Sequence, residues 1–340
     1  MENVYHVVVI GLHHDHVWSH LKDIEHCRVA KLVGVADPNL PLLNRAREHH
    51  HCPVYTDYDE LLSEVDADIA YIFTSNRQGA ELAVLAANRG LHVLIEKPMA
   101  ADLAGAEAAL AAAKANQVRM MVNWPFAWSS GMQTAIKMAT AGELGRLWQV
   151  KYRAAHQGPR QLGCSDYFCD WLYDEEANGG GALIDYGCYG CVLSCVLLGR
   201  PKTVQASSGN FGASPSNVED NAILLLNYPE ATGISEASWT QAGNLSSYIA
   251  SIHGINGSLI VESAARPERL SFANGEDLEG HSVPIPTLGA HLRSATHHLC
   301  WALENDEPLM PLVCAEVARD AQSVLASAQL AAELKGVAVV

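Results

Sequence analysis

A strand, a glycine and a helix follow one another near the start of the chain, in the stretch Val8-Val9-Ile10-Gly11-Leu12-His13-His14-Asp15-His16-Val17-Trp18. This order is typical of the loop that holds a dinucleotide pyrophosphate on the free N–H groups at a helix start. Of the usual three glycines only Gly11 is kept, and His13 and His16 stand at the other two positions. Gly11, Leu12 and His13 are therefore predicted to contact the cofactor. The His13 ring would either replace a backbone N–H or hold the pyrophosphate farther from the loop.

An acidic residue, Asp37, ends the next predicted strand. A carboxylate at that place accepts a hydrogen bond from the ribose 2′-hydroxyl of NAD and repels the 2′-phosphate of NADP. The pattern therefore favours NAD as cofactor over NADP. The alternative is that Asp37 only begins the turn Asp37-Pro38-Asn39.

Short β-branched runs alternate with helical patterns along the first third of the chain. This alternation predicts βαβ units and a parallel sheet, and runs this apolar are buried on both faces. Residues 1–123 are therefore predicted to form a Rossmann-like, dinucleotide-binding α/β domain. The predicted strands are Tyr5–Ile10, Ala30–Ala36, Asp68–Thr74, His92–Ile95 and Val118–Val122, and the clearest helices are Gly79–Arg89 and Leu103–Asn116.

Longer strand patterns joined by turn-like segments replace this rhythm after Asn123. They favour an antiparallel sheet, so residues 124–340 are predicted to form an α+β domain for substrate binding and oligomerisation. An open sheet with one apolar face must be covered, and we expect a homodimer or homotetramer built on that sheet. The predicted strands are Leu147–Ala155, Thr203–Asn210, Asn221–Asn227, Ile234–Trp239, Tyr248–Gly254 and Ser258–Val261, and the predicted helices are Ser130–Ala141, Ala182–Leu198, His291–Leu303 and Ala315–Leu334.

Length and composition restrict the class of protein. The 340 residues are long for one domain, and 49% apolar against 18% charged residues argues against disorder. With 22 Lys and Arg against 38 Asp and Glu, the net charge of −16 gives no electrostatic reason to bind nucleic acid. No apolar run approaches the roughly 20 residues of a membrane span, and Met1–Tyr5 lacks the pattern of a signal peptide. The odd count of 9 cysteines fits reduced thiols, so a cytoplasmic protein without membrane partners is expected.

The histidines within His13–His16 raise the possibility of a zinc site. Two histidines one or two residues apart can share a zinc ion, but a site needs further ligands. No second cluster in the sequence has matching spacing, because His49-His50-His51 fits a solvated run. The cysteines of Cys188-x-x-Cys191, with Cys195, fit small core residues. No metal is expected, and a zinc-dependent activity stays a minor alternative.

The stretch Val93-Leu94-Ile95-Glu96-Lys97-Pro98 ends a predicted strand with an acid, a lysine and a proline. Ligands of open α/β folds bind beyond the carboxyl ends of the strands. Lys97 therefore places a cation at the edge of the sheet where the cofactor is expected.

With these residues the chain resembles the glucose–fructose oxidoreductase / inositol dehydrogenase (Gfo/Idh/MocA) family. The resemblance runs over nearly the whole chain. It implies a two-domain NAD(P)-dependent oxidoreductase that acts on sugars, cyclitols or related diols. The motifs that carry it are Thr74-Ser75-Asn76, Glu96-Lys97-Pro98, Gly142-Glu143-Leu144-Gly145, Gly179–Gly187 and Ala332-Glu333-Leu334-Lys335-Gly336.

The resemblance also implies site residues. The family's lysine falls on Lys97, and its helix motif, an aspartate with a histidine four residues on, falls on Asp185 and Tyr189. The tyrosine resembles the dihydrodiol dehydrogenase and glucose–fructose oxidoreductase branches, in which tyrosine is the proposed acid/base. Lys97, Asp185 and Tyr189 are thus the predicted catalytic residues. The predicted cofactor contacts are Gly11, Leu12, His13, Asp37, Thr74, Asn76, Glu96, Lys97, Asn123 and Trp171.

The chemistry of these residue types agrees with that assignment. Residues four apart on a helix share a face, so Asp185 and Tyr189 can address one substrate carbon. A phenol of pKa about 10 needs roughly 3–4 kcal/mol of preference for the phenolate to titrate near pH 7–8. A nearby Lys97 ammonium is expected to supply it, since an opposite charge shifts a pKa by about 1–3 units. The alternative is that Tyr189 packs in the core and Lys97 pairs with Glu96.

The segment before Gly179–Gly181 is too long and irregular to be only a connection. It mixes polar and aromatic groups, which is typical of a sugar-facing loop. The alternative is that each candidate residue of this segment is an ordinary surface residue. Together with Lys97, Asp185 and Tyr189, the predicted substrate contacts are His156, Arg160 and Tyr167, with Asp170 beside them.

Two classes of function follow. The first is an enzyme that transfers hydride between nicotinamide and a secondary alcohol, with Tyr189 exchanging the hydroxyl proton and Asp185 either orienting the substrate hydroxyl or taking over as base. A variant of it retains NAD and uses transient oxidation to eliminate or hydrolyse a glycosidic bond. The second is a non-catalytic protein that senses NAD or a sugar.

Overall fold

A parallel sheet forms the first half of the computed structural model, which describes residues 4–212 and 216–340. Its strands are β1 (Tyr5–Ile10), β2 (Ala30–Ala36), β3 (Val54–Tyr55), β4 (Ile69–Ile72), β5 (His92–Glu96) and β6 (Met120–Asn123). They lie in the order β3-β2-β1-β4-β5-β6, and every pair is parallel. The Rossmann-like α/β prediction is confirmed. Residues 1–3 lie outside the described residues, and the expectation that no signal peptide begins there falls partly on them.

The helices between these strands begin at defined caps. Asp57, Ser75 and Asp102 each accept a hydrogen bond from a backbone N–H in the first turn of the helix that follows. The first helix starts without a side-chain cap, directly after the loop histidines. The helices of this half are α1 (Val17–His26), α2 (Leu40–His49), α3 (Tyr58–Glu64), α4 (Asn76–Asn88) and α5 (Leu103–Ala115).

The second sheet is open, mixed and mostly antiparallel, as expected. Its strands are β7 (Leu147–Ala155), β8 (Thr203–Gly209), β9 (Asn221–Asn227), β10 (Thr232–Ser238), β11 (Ile249–Gly254), β12 (Ser258–Glu262), β13 (Arg269–Ala273), β14 (His281–Ser282) and β15 (Val337–Val339). They lie in the order β14-β13-β12-β11-β7-β10-β9-β8-β15. The pair β7–β10 is parallel, because a helical crossover separates these strands along the chain.

The helices of this part of the chain are α6 (Ser130–Thr140), α7 (Asp166–Leu172), α8 (Glu175–Asn178), α9 (Ala182–Asp185), α10 (Gly187–Leu198), α11 (Ala295–Glu304) and α12 (Ala315–Leu334). The helix α8 contacts α4 and α11 contacts α1, whereas α6, α9, α10 and α12 pack on strands of this sheet. The last of them also contacts α5, so it ties the second half of the chain to the first.

The helix predicted over Ala182–Leu198 is broken at Tyr186. The Glu219 side chain accepts hydrogen bonds from the N–H groups of Gly181 and Leu183 at 2.8 and 2.9 Å. These bonds cap the start of α9. The break leaves Asp185 at the end of α9, beside the first domain.

Several short elements were not predicted from the sequence, among them β3, β13, β14, β15, α3, α7 and α8. They have two to seven residues. Segments of that length carry too little periodicity to be recognised.

Among the described residues, no single helix has both the length and the apolar composition of a membrane span. The bent pair Glu175–Asp185 and Gly187–Leu198 meets these two criteria jointly. Most of the residues of α9 and α10 are buried inside this protein.

Gly190 allows α10 to lie directly on β10, because a Cβ added there would lie 2.8 Å from the Cα atom of Ser235. Gly190→Ala forces helix and sheet apart, and overpacking of this kind costs about 1–3 kcal/mol. We expect the urea midpoint of unfolding to fall accordingly. Gly275→Ala is the control, since no atom lies within 4 Å of its added Cβ. Equal midpoints for the two variants would contradict the close contact.

Candidate functional site

A buried ion pair joins the two halves of the chain at the tip of β5. Lys97 Nζ contacts the Asp185 carboxylate and donates a hydrogen bond to the Asp185 carbonyl oxygen at 3.0 Å. Trp239 Nε1 donates to the other carboxylate oxygen at 3.2 Å. Burial lowers the pKa of Lys97, but the Asp185 carboxylate more than offsets this effect, and the pKa ends above its usual value. Lys97 is therefore a buried ammonium held by a carboxylate.

Tyr189 lies beside this pair, but its ring faces Lys97. The distance from Lys97 Nζ to the centre of the Tyr189 ring is 5.2 Å, a cation–π contact. Burial raises the pKa of Tyr189 well above its usual value. The prediction that Lys97 lowers this pKa is wrong, because Asp185 neutralises the ammonium, which faces the aromatic ring. The alternative pairing of Lys97 with Glu96 is not observed between the side chains; Lys97 pairs with Asp185.

Aromatic residues surround Tyr189 and fix its ring. Tyr152 stacks on it with 5.7 Å between ring centres, and Trp124 and Phe126 contact its edges. The ring also borders a cavity of about 420 Å³ that Tyr248, Arg266 and Glu268 line. Tyr189 is therefore both a packed residue and the wall of an open space.

The loop after β1 approaches the loop after β4 very closely. Gly11 has φ +84°, and a Cβ on it would lie 2.8 Å from the carbonyl oxygen of Phe73 and overlap the methyl group of Thr74. Only glycine fits this turn. The close approach that a dinucleotide loop requires is therefore present at the first glycine position.

His13 occupies the second glycine position and lies across the two loops. Its Nδ1 lies 3.3 Å from Asp37 Oδ2, and its Nε2 accepts a hydrogen bond from Ser75 N at 3.2 Å. Leu12 N and Asn39 donate to the same Asp37 carboxylate. Burial raises the pKa of Asp37, but the hydrogen bonds from His13, Asn39 and Leu12 lower it below its usual value. Asp37 is fully buried and fully hydrogen-bonded.

A segment of the second domain lies directly on this loop. Ser165 donates to the Asp15 carboxylate from its backbone N–H at 2.7 Å and its hydroxyl at 2.6 Å. Trp171 Nε1 donates to the His13 carbonyl oxygen at 3.2 Å. Asn76, predicted for the cofactor, donates instead to Asn178 at 2.6 and 3.0 Å. The cleft is closed over the loop in this structure.

Glu96, the last residue of β5, points toward α1. Its Oε1 accepts a hydrogen bond from Asn123 Nδ2 at 2.6 Å and lies 3.4 Å from His20 Nε2, while its Oε2 lies 3.2 Å from His16 Nδ1. Burial raises the pKa of Glu96, but the neighbouring His16 and His20 hold it well below its usual value. Glu96 is thus an anion surrounded by loop and helix histidines.

The predicted substrate residues divide into three groups. His156 is buried with 4.6 Å between the centres of its ring and the Tyr186 ring, and burial lowers its pKa to about 4, which leaves it neutral at pH 7. Arg160 lines a cavity of about 580 Å³ that also borders Trp239. Tyr167 and Asp170 lie on the surface, outside that cavity. The structure therefore brings His156 against Tyr186 beside the ion pair, while Arg160 lies in the cavity that Trp239 borders and 3.9 Å from the exposed Asp170.

Sequence reasoning missed two aromatic residues of the site. Trp239 follows β10 and donates to Asp185, and Tyr186 lies with its ring centre 5.4 Å from Lys97 Nζ. Tyr186 directly follows Asp185 in the sequence, and an aromatic residue next to a predicted catalytic acid was the available signal. Trp239 offered none beyond its place at the end of a predicted strand.

A nucleotide-type α/β domain and an open-sheet domain that meet at a buried Lys–Asp pair define a two-domain oxidoreductase. Two family models match the chain: "Oxidoreductase family, NAD-binding Rossmann fold" over residues 5–124 and "GFO/IDH/MocA C-terminal domain" over residues 132–260. The chain belongs to the Gfo/Idh/MocA oxidoreductase family, which confirms the resemblance drawn from its motifs.

Known proteins with similar sequences support the same family. The chain is 29% identical to the NADP(+)-dependent scyllo-inositol 2-dehydrogenase of Bacillus subtilis, over 71% of each chain. It is 27% identical to the trans-1,2-dihydrobenzene-1,2-diol dehydrogenase of Macaca fascicularis, over 85% of this chain and 86% of that one. The aldose-aldose oxidoreductase of Caulobacter crescentus has the same fold, with a TM-score of 0.84 at 21% identity over 99% and 100% of the two chains.

The fold fits NAD, the cofactor of this family, at Gly11, at Asp37 and at the cation beyond β5. Gly11 provides the tight turn, Asp37 follows β2 where an acid would accept from a ribose hydroxyl, and Lys97 follows β5 at the same edge of the sheet. The Asp37 carboxylate is engaged by His13 and the loop amides, however. A ribose hydroxyl would therefore compete with His13 for the Asp37 carboxylate.

His13→Gly tests this competition. The variant restores the second glycine and frees Asp37 from a hydrogen bond worth about 1–1.5 kcal/mol. Because 1.4 kcal/mol is tenfold, we expect NADH to bind about 10-fold more tightly, as measured by fluorescence titration. His51→Gly, at an exposed position, is the control. Unchanged or weaker NADH binding in His13→Gly would show that the ring does not compete with the ribose.

Proposed function

We propose that this chain transfers hydride between NAD and a secondary alcohol of a sugar, cyclitol or related diol. Its family is one of NAD-binding oxidoreductases, and relatives over most of its length are named as inositol, levoglucosan and dihydrodiol dehydrogenases. The observation that carries the proposal is the buried Lys97–Asp185 pair between the two domains. NAD, when bound, supplies the hydride acceptor. Asp37 disfavours the 2′-phosphate of NADP, although the Bacillus relative is named for NADP(+).

Lys97 and Asp185 are the proposed proton-handling residues. The Lys97 ammonium can stabilise the alkoxide that forms as a hydroxyl loses its proton, and the Asp185 carboxylate can accept that proton. Trp239 fixes the carboxylate through its Nε1. This pair needs no shift in the pKa of a phenol, so it replaces the phenolate base expected from the sequence.

Tyr189 is proposed to act as a protonated hydroxyl donor. Its raised pKa keeps the phenol neutral near pH 7, and a neutral phenol donates a hydrogen bond to a substrate oxygen. The ring borders the cavity of about 420 Å³ described above, which gives a ligand room to reach it. Its role is orientation of the substrate oxygen.

The cavity beside Trp239 is proposed as a second sugar-binding surface, separate from the cavity that Tyr189 borders. Its lining combines the Arg160 guanidinium, the Asp220 carboxylate and the aromatic rings of Tyr173 and Trp239. Hydroxyl-rich ligands are recognised by such convergent polar groups between aromatic walls. His156 lies behind this wall as a neutral, buried ring.

A retained-cofactor variant is the second candidate, and the closed cleft favours it. Ser165 and Trp171 bridge the domains over the nucleotide loop, so release of a bound dinucleotide requires these bonds to break. Such an enzyme would oxidise a sugar transiently, cleave a glycosidic bond and reduce the product again with the same NAD. Single-turnover reduction of bound NAD without its release separates this enzyme from a dehydrogenase, and no reduction by any sugar indicates a sensor.

Substitution at the ion pair tests the assigned chemistry. We expect Asp185→Asn to lower kcat/KM by about 1000-fold, since it removes the proton acceptor while keeping the shape of the side chain. Lys97→Ala should abolish turnover, because it removes the cation that stabilises the alkoxide. Tyr189→Phe lowers it by about 100-fold. The assay is NADH formation with scyllo-inositol and levoglucosan, the alcohols named for two relatives.

Lys202→Ala, at an exposed position, is the control for that assay. Circular dichroism establishes that each variant is folded, because Lys97→Ala leaves Asp185 buried without its cation. Near-normal turnover in a folded Asp185→Asn protein would refute the assigned role.

The outer face of the second sheet is the proposed homodimer or homotetramer interface. Ile223 and Leu225 on β9 and Ile260 on β12 are exposed there, and such apolar faces are commonly covered by a second copy. A division of the chain at residues 123/124 and a cytoplasmic location remain predictions.

Ile223→Lys combined with Leu225→Lys is expected to yield a monomer in size-exclusion chromatography with light scattering, because both changes place charge in that face. Leu278→Lys, at a fully exposed loop residue, is the control and leaves the mass unchanged. An oligomer that survives the double substitution would place the interface elsewhere.

A further inference from the structure

Three metal-ligand side chains converge next to the ion pair. His14 and His16 come from the loop before α1, and Glu96 ends β5. One ligand atom from each of the three lies within 4.8 Å of the other two. In the sequence no further ligand lies near these histidines, and for that reason no metal is expected from the sequence alone. Folding supplies that ligand from the end of a distant strand.

The Glu96 carboxylate is oriented as a ligating carboxylate is. Asn123 and His20 contact Oε1, while Oε2 faces His16 Nδ1 at 3.2 Å. Zinc ligands bond at about 2.0–2.2 Å, which in a tetrahedron places them about 3.4 Å apart. The partners on Oε1 correspond to the outer groups that commonly fix a metal-binding carboxylate.

Burial and access also fit a metal with an open position. His14 and Glu96 are buried, with 1% and 3% of their surface exposed. The His16 side chain is 41% exposed and borders a cavity of about 330 Å³ that His20, Asn123 and Arg293 also line. Three protein ligands with one side open toward a cavity are the arrangement of a catalytic metal site.

We propose that His14, His16 and Glu96 bind one divalent transition-metal ion, with zinc as the fitting ion. Two imidazoles and one carboxylate are a common ligand set for such ions. The fourth position faces the cavity beside Arg293, and Asn123 holds the carboxylate in place. His16, which stands where a dinucleotide loop has its third glycine, thereby acquires a role of its own.

Metal binding is measured on the full chain, freed of metal with a chelator and titrated with Co²⁺ and Zn²⁺. The expected result is one equivalent of bound metal and visible d–d absorption of four-coordinate Co²⁺. His16→Ala and Glu96→Gln should each weaken Co²⁺ binding by more than about 100-fold, since loss of a ligand exceeds the effect of losing an outer partner. The exposure of His16 makes His16→Ala a mild change to the fold.

His26→Ala is the matched control, because His26 is an exposed histidine of the same helix, α1. It should bind Co²⁺ as the unsubstituted chain does. Binding of less than a tenth of an equivalent, or unchanged binding in folded His16→Ala, overturns the proposal. Metal content and Co²⁺ absorption do not depend on turnover, so failure of the dehydrogenase assay is a separate outcome.

Discussion

The buried contact between Lys97 and Asp185 is the constraint on which the rest of the molecule depends. Moving two charges out of water costs several kcal/mol per ion. Here the pair is compensated by the Asp185 carbonyl, by Trp239 Nε1 and by two aromatic ring faces. Loss of one partner from a buried pair costs about 3–5 kcal/mol, so the two domains are held in one relation at this point. Apolar residues of similar size would often stabilise a fold equally well, which favours a chemical role for the pair.

Two further buried acids explain why histidines replace glycines in the nucleotide loop. Asp37 follows β2 and Glu96 ends β5 at the same carboxyl edge of the sheet, and each needs a partner because an isolated buried carboxylate is unfavourable. His13 lies against Asp37, and His16 lies against Glu96. The loop therefore has a histidine in place of a glycine at each position where it contacts one of these acids. Its polar groups are consequently satisfied within the protein.

The parallel sheet could be predicted because its strands are apolar runs with clear ends; β1 and β2 were located to the residue. The proximity of Lys97 to Asp185 followed from a motif at a strand end and a motif at a helix. The electrostatics of Tyr189 did not follow, because they depend on which way Lys97 turns. The cap at the start of α9 depends on Glu219, which is remote in sequence, and the Glu96–His16 contact depends on how α1 lies against β5. Such relations are set by tertiary packing, which local periodicity does not encode.

The hydrogen bonds that close the cleft are more exposed to water than the ion pair beneath them. Ser165 and Trp171 join the domains through partly buried hydrogen bonds at the rim. Each such bond contributes about 0.5–1.5 kcal/mol net, because water can replace it. The Lys97–Asp185 pair below is buried, and water does not reach it at comparable cost. Displacing α7 and its neighbouring loop therefore costs less free energy than separating the two domains at the ion pair.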